Sequence, residues 1–146
     1  MPMIGLTVPA GVLSAEKRRD VQKTLAATLL KWEGAPDTAF FRAQAWSRVD
    51  EVSPGAFAAL EDDEPRFRVD VTVPEGALSE RRKEGLVKEA TANVLDAAGL
   101  TEADALRVWV LVHEQREGTW GAGGAIVRFA ELAAGQGGAR KCMSCN

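Results

Sequence analysis

The sequence predicts an α+β fold in which two β-α-β units build one four-stranded sheet with two helices on one face. Three observations lead there. The segment TVPAGVLS (Thr7 to Ser14) returns as TVPEGALS (Thr72 to Ser79), identical at six of eight positions at an offset of 65. The same offset aligns Lys23 with Lys88, Ala27 with Ala92, Leu30 with Leu95, Gly34 with Gly99 and Arg42 with Arg107, which argues for internal duplication. Each copy also passes from a strand-like period of two to a helix-like period of 3.6 and back.

The elements follow in order. A first strand is predicted over Met3 to Val8. Ser14 is placed to cap the helix that follows, because its hydroxyl can accept a free N–H of the first turn. In that helix Val21, Leu25, Leu29 and Trp32 share a face. Gly34 stands where the helix should stop, since glycine enters the left-handed conformation at no steric cost. A second strand is predicted over Phe40 to Val49. The third, Phe67 to Val73, alternates Phe67, Val69, Val71 and Val73 against Arg68, Asp70 and Thr72. Ser79 caps a second helix with Leu86, Ala90, Val94 and Ala97 on one face, Gly99 ends it, and a fourth strand is predicted over Leu106 to Val112. On this reading Arg42 and Arg107 open the second and fourth strands at equivalent positions. Residues 1–134 form one domain, with units 1–53 and 65–124 joined by an acidic connector, 54–64, and a flexible glycine-rich tail over 135–146.

Each strand-helix-strand unit makes a parallel pair. The run VWVLV (Val108 to Val112) is apolar on both faces, and two helices cover only one face of the sheet. The other face is therefore expected to be buried against further copies of the chain.

Composition excludes several classes. The 146 residues are 46% hydrophobic and 27% charged, as in globular chains. A net charge of −3 gives no basic footprint for nucleic acid. No apolar run approaches a membrane span, and there is no secretory leader, so a cytoplasmic location is expected. Cys142 and Cys145 have the spacing of half a zinc knuckle, but no second pair completes four ligands. No metal or cofactor is expected.

The chain starts Met1-Pro2 before its first strand. Removal of Met1 would make Pro2 a free secondary amine. An unperturbed α-amino group titrates near 8; burial and nearby cations disfavour its charged form. A neutral proline nitrogen can take a proton from a carbon beside a carbonyl and return it elsewhere, and a protonated one can donate during water addition.

The start Met1-Pro2, the duplicated unit and HEQREGTWGAGG (His113 to Gly124) together resemble the tautomerase superfamily, which includes 4-oxalocrotonate tautomerase, cis-3-chloroacrylic acid dehalogenase, malonate semialdehyde decarboxylase and macrophage migration inhibitory factor. In the last segment Glu114, Trp120 and Gly121-Ala122-Gly123-Gly124 resemble the terminal motif of the short tautomerases; VWVLVHE resembles the dehalogenase's fourth strand, its tryptophan matching Trp109. The resemblance spans residues 1 to about 130. It implies a four-stranded mixed sheet, a homotrimer, and Pro2 as the catalytic residue. It implies a tautomerase or isomerase acting on a small 2-oxo, enol or unsaturated carboxylic acid. The alternatives are a hydratase, dehalogenase or decarboxylase with the same proline as acid, or an oligomeric binding protein impaired in catalysis.

The substrate-binding candidates are Arg107, Arg42, Trp109 and Trp120. A guanidinium can hold a carboxylate through two parallel bonds, and the short tautomerases carry an arginine on the strand of Arg107. Trp120 matches the family's pocket-wall aromatic, and Trp109 serves either pocket or oligomer interface. Trp32 and Trp46 are read as packing, His113 as structural, and Arg68 as solvated or ion-paired. The chain departs from its relatives at the loop glycines: Val12 follows Gly11, while Pro74, Glu75 and Ala77 surround Gly76, so the relatives' loop arginines are missing. Leu29 and Leu111 stand where the dehalogenase has histidine and tyrosine.

Overall fold

The computed structural model describes residues 2–129. The glycine-rich tail and both cysteines lie outside the described residues. Strand β1 (Met3–Pro9) is followed by α1 (Ala15–Glu33), a short α2 (Ala39–Gln44) and β2 (Trp46–Val52). The second unit runs β3 (Phe67–Pro74), α3 (Glu80–Ala97), a 3-10 turn (Glu102–Arg107) and β4 (Val108–Gln115). A two-residue hairpin, β5 (Gly121–Ala122) and β6 (Ala125–Ile126), follows.

The main sheet has the order β2-β1-β3-β4. Pairs β1–β2 and β3–β4 are parallel, whereas β1 and β3 meet antiparallel, so the sheet is mixed. Each helix begins as its capping serine dictates: Ser14 accepts from the Lys17 N–H at 3.1 Å, and Ser79 from the Arg82 N–H at 3.3 Å. Gly34 takes φ 71° and closes α1, its N–H reaching the Leu30 and Lys31 carbonyls.

The core lies between the helices and one sheet face. Ile4, Leu6 and Val8 of β1 and Phe67, Val69, Val71 and Val73 of β3 are fully or almost fully buried against Val21, Leu25 and Leu29 of α1 and Leu86, Ala90 and Val94 of α3. These are the faces expected from periodicity.

Three expectations are corrected. Residues 39–44 are helical, so β2 begins at Trp46, and Arg42 sits in α2 rather than opening a strand. The Thr38 hydroxyl starts this turn by accepting from the Phe41 N–H at 3.4 Å. Residues 102–107 are a 3-10 turn, so Arg107 ends that turn and β4 starts at Val108. The offset also changes: β1 Met3 faces Trp46, while its duplicate Arg68 faces Trp109. The second strands thus align at an offset of 63, which pairs Trp46 with Trp109 and breaks the equivalence of Arg42 and Arg107.

The uncovered sheet face is not uniformly apolar either. Register puts Trp46, Arg48 and Asp50 of β2, Arg68 and Asp70 of β3, and Trp109, Leu111 and His113 of β4 on it. Its charges are paired, Arg48 to Asp50 and Arg68 to Asp70, both at 3.0 Å. Trp46 and Trp109 stand 66% and 69% exposed, so Trp46 does not pack as expected.

Helices α1 and α3 lock together at Gly85. Trp32 fills the space above it, and its Nε1 donates to Glu89 Oε2 at 2.6 Å. A Cβ at Gly85 would lie 2.2 Å from the Trp32 ring. Alanine normally favours a helix interior by about 1 kcal/mol over glycine. Here Gly85→Ala should instead destabilise by about 1–3 kcal/mol, the usual cost of overpacking. Urea unfolding checks the sign, and Trp32→Leu should relieve most of the penalty in the double variant.

Candidate active site at the amino-terminal end of the sheet

Because β1 and β3 run antiparallel, the start of β1 lies beside the end of β3. Met3 faces Thr72, which puts Pro2 level with Val73. β4 is parallel to β3 and ends at the same edge, with Glu114 and Gln115. On the other side the Trp46 N–H donates to the Pro2 carbonyl at 3.2 Å. Pro2 is buried, and by alternation it shares the helix-facing side with Ile4 and Leu6.

The helices bring their own ends here. α1 stops at Glu33, and α3 starts at Glu80. Arg82, in the first turn of α3, donates from Nη1 to the Glu33 carbonyl at 3.1 Å, a cation at a helix C-terminus. Its guanidinium lies over Gly34, where a Cβ would be 3.0 Å from Nη2. Among the described residues Arg82 forms no ion pair with a carboxylate. Lys83 is held by Glu80 at 3.0 Å and Glu114 at 3.2 Å.

Glu33 is half-buried. Burial pushes its carboxyl above the usual carboxylate range, and the positive charge of the chain's amino terminus pulls the other way without cancelling this. A half-buried carboxyl with a raised proton affinity distinguishes this end of the sheet.

The predicted site residues divide between the two ends of the sheet. Arg42 lies in α2, just before β2, at the Pro2 end; it is exposed, pairs with Asp37 and lines a cleft of about 550 Å³ with Lys23, Leu30 and Ser47. Trp120 is near the same end, packed with Pro74, Gln115 and Phe129 around a void of only about 10 Å³. Arg107 and Trp109 are at the opposite end, beside Phe67 and Arg68. Six residue steps of β3 separate the levels of Phe67 and Val73, roughly 20 Å. Arg107 there pairs with Glu64 and Asp104, both at 3.4 Å, and ties the acidic connector to the 3-10 turn. Within one chain the structure does not bring Arg107 or Trp109 to Pro2. At that edge of the sheet it joins the end of α1 to the start of α3 through Glu33 and Arg82, which sequence reasoning missed. The only signal for them was their position at helix ends flanking the Pro2 edge.

Residues 68–130 match the family model described as tautomerase enzyme. The match lies in the second unit and makes the chain similar to that family over 63 of its 146 residues. Its fold is shared by Pt0534 inactivated by 2-oxo-3-pentynoate, at 19% identity and a TM-score of 0.75 over 88% of this chain and 98% of that one. It is shared too by N1, a member of the cis-3-chloroacrylic acid dehalogenase family, at 20% identity and a TM-score of 0.73 over 90% of each chain. A third neighbour is the Q0 fused 4-OT, a symmetric trimer, at 16% identity and a TM-score of 0.72 over 91% of this chain and 98% of that one. No curated protein matches in sequence.

One group of the chain has a pH dependence of defined sign. On the open face Asp70 bonds His113 Nε2 at 2.8 Å and Arg68 at 3.0 Å. Partial burial raises the Asp70 carboxyl, but the bonds from His113 and Arg68 outweigh it and hold the group below the usual range. A depressed carboxylate stabilises the fold above its unfolded value, about 3.9, and that contribution is lost as pH falls through the folded value. The wild type should therefore exceed Asp70→Asn in urea midpoint at pH 6, and the gap should close below pH ~3.9. A gap independent of pH would mean that Asp70 acts by shape alone.

Proposed function

We propose that this chain uses Pro2, after loss of Met1, to move a proton on a small 2-oxo, enol or unsaturated carboxylic acid, as a tautomerase or isomerase. The observation that carries the reading is the placement of a buried Pro2 at the start of a central strand, at the edge where α1 ends and α3 begins. Burial of an amine favours its neutral, basic form, and a positioned base near a carbonyl-activated carbon can relocate a proton. The similarity of residues 68–130 to the tautomerase family model supports proton-transfer chemistry of this kind.

We also propose a homotrimer. Exposed Trp46 and Trp109 and half-buried Leu111 on the open face supply apolar area for contact, and the paired charges between them need no water to be satisfied. The fused 4-OT neighbour is a trimer of the same fold. In such an assembly Arg107 serves the Pro2 site of an adjacent copy, and Arg42 or Arg82 serves that of its own chain. Trp109 and Trp120 are assigned to substrate binding on the same terms, the first across a boundary and the second within the chain.

Three experiments test these points. Intact mass should show loss of Met1, and Pro2→Ala should lower turnover of an enol acid such as phenylenolpyruvate by roughly 10²-fold, the scale of one positioned acid or base. Unchanged turnover would move the base elsewhere. The shared site predicts complementation: Pro2→Ala and Arg107→Ala, each nearly inactive alone, should regain activity when refolded together. Activity equal to the sum of the parents would restrict the site to residues of one chain.

A further inference from the structure

We propose that the cleft on the outer flank of α1 is a second ligand site, separate from the Pro2 edge, that takes a small amphipathic carboxylate. Lys23 meets the carboxylate, and an alanine-rich floor takes the apolar body. The proposal does not depend on the reading of Pro2, which does not line the cleft.

The cleft holds about 550 Å³, within the ordinary range for small-molecule sites. It exists because α1 presents short side chains where the connection to β2 passes. Ala26, Ala27 and Leu30 form its wall on α1, and Ala35, Pro36 and Ala45 close it from the connection. An apolar body laid on these side chains removes apolar area from water on both partners.

The rim carries the charge. Lys23, Lys31 and Arg42 line the cleft against a single acid, Asp37. Lys31 is held by Glu89 at 3.0 Å, and Arg42 gives Nη1 to Asp37 at 2.5 Å. Lys23 is exposed, and among the described residues it has no ion pair. The cleft thus joins an apolar floor to one uncompensated ammonium group. A carboxylate can accept from that ammonium while the rest of the molecule covers the alanines.

The duplication supplies a comparison within the same chain. A second cleft, of about 790 Å³, occupies the matching flank of α3. The offset of 65 sets Lys23 on Lys88, Ala27 on Ala92 and Leu30 on Leu95, so the floor and the first cation are kept. The rims differ in sign. Asp96 stands at the position of Lys31, Glu102 at that of Asp37, and Glu84 adds a third acid against Lys83 and Lys88. The field of the rim therefore draws an anion to the α1 cleft and not to the larger cleft on α3. Apolar area alone would favour the opposite choice.

The test titrates phenylbutyrate, and its neutral amide phenylbutyramide, into the full ¹⁵N-labelled chain and reads backbone amide shifts by NMR. The acid should move the amides of Lys23, Ala27, Leu30 and Ser47 along a common saturation curve. Lys23→Gln should weaken that binding about tenfold, on the order of one charge-assisted bond, while the matched Lys88→Gln leaves it unchanged. The amide should bind the wild type about tenfold more weakly than the acid and should not respond to Lys23→Gln. Equal affinity for acid and amide in the wild type overturns the proposal, and that comparison needs no variant to fold. Saturation at Ala92 and Leu95 overturns it too, as does acid binding that ignores Lys23→Gln. Shifts confined to Met3 and Trp46 would assign the acid to the Pro2 edge instead. No saturation at the solubility of the acid would remove the site altogether.

Discussion

The antiparallel pairing of β1 with β3 is the constraint on which the rest of the molecule depends. Each β-α-β unit alone is a parallel pair with one helix and an open edge. Joining the units through their first strands places Gly5 opposite Asp70, its own duplicate at an offset of 65. The pseudo-twofold runs between them. It follows that the two helices lie antiparallel over the same face, that α1 ends where α3 begins, and that the start of β1 stands beside the finish of β3 and β4. A unit joined edge to edge in any other way would leave the chain start at a bare corner. Here it is flanked by strands on both sides and by a helix end.

The same symmetry gives the sheet two comparable ends with different residues at each. At an offset of 65 the counterpart of Pro2 is Phe67, which is 1% exposed and belongs to the core. What stands there is an ion network, with Arg107 bound to Glu64 and Asp104 and Arg66 bound to Asp62 at 2.9 Å. It fastens the connector that links the units. Exposed pairs of this kind contribute little each, but several of them on one short connector fix where the second unit starts.

Much of this was legible in the sequence because it depends on local chemistry. The serine caps, the helix stops at Gly34 and Gly99 and the alternation of β3 are set by neighbours within a few residues, and each appears where expected. The failures occur where distant parts of the chain compete. Phe40 and Phe41 have a strand-like composition, yet Thr38 caps a helical turn over them, and their rings meet edge to face at 5.3 Å. The change of offset from 65 to 63 is invisible in a one-dimensional alignment because it is absorbed in the connection between helix and second strand. It shows only in the pairing of Met3 with Trp46 and of Arg68 with Trp109. The arginines that looked duplicated are not, and the tryptophans that looked unrelated are. Pro2 could be singled out as a candidate from its place in the chain. Glu33 and Arg82 could not, since nothing in the sequence states that one helix's last residue touches another's first turn.

The open face shows how a duplicated scaffold can carry two kinds of surface at once. Arg48 lies across Gly5, whose missing side chain leaves the room: a Cβ there would be 3.4 Å from two Arg48 atoms. On the other side of the pseudo-twofold Asp70 occupies the corresponding place and gathers Arg68 and His113. Each charge has a partner within its own chain, so this face can be covered without leaving an ion unpaired, the condition under which burial of charge is tolerated. The tryptophans at either margin then supply the apolar area. The helix-facing side carries a different arrangement at its Pro2 end, where burial raises the half-buried Glu33 carboxyl and no lysine or arginine pairs with it among the described residues. Satisfied charge is the condition that suits a surface to being covered, and it is the open face that meets it.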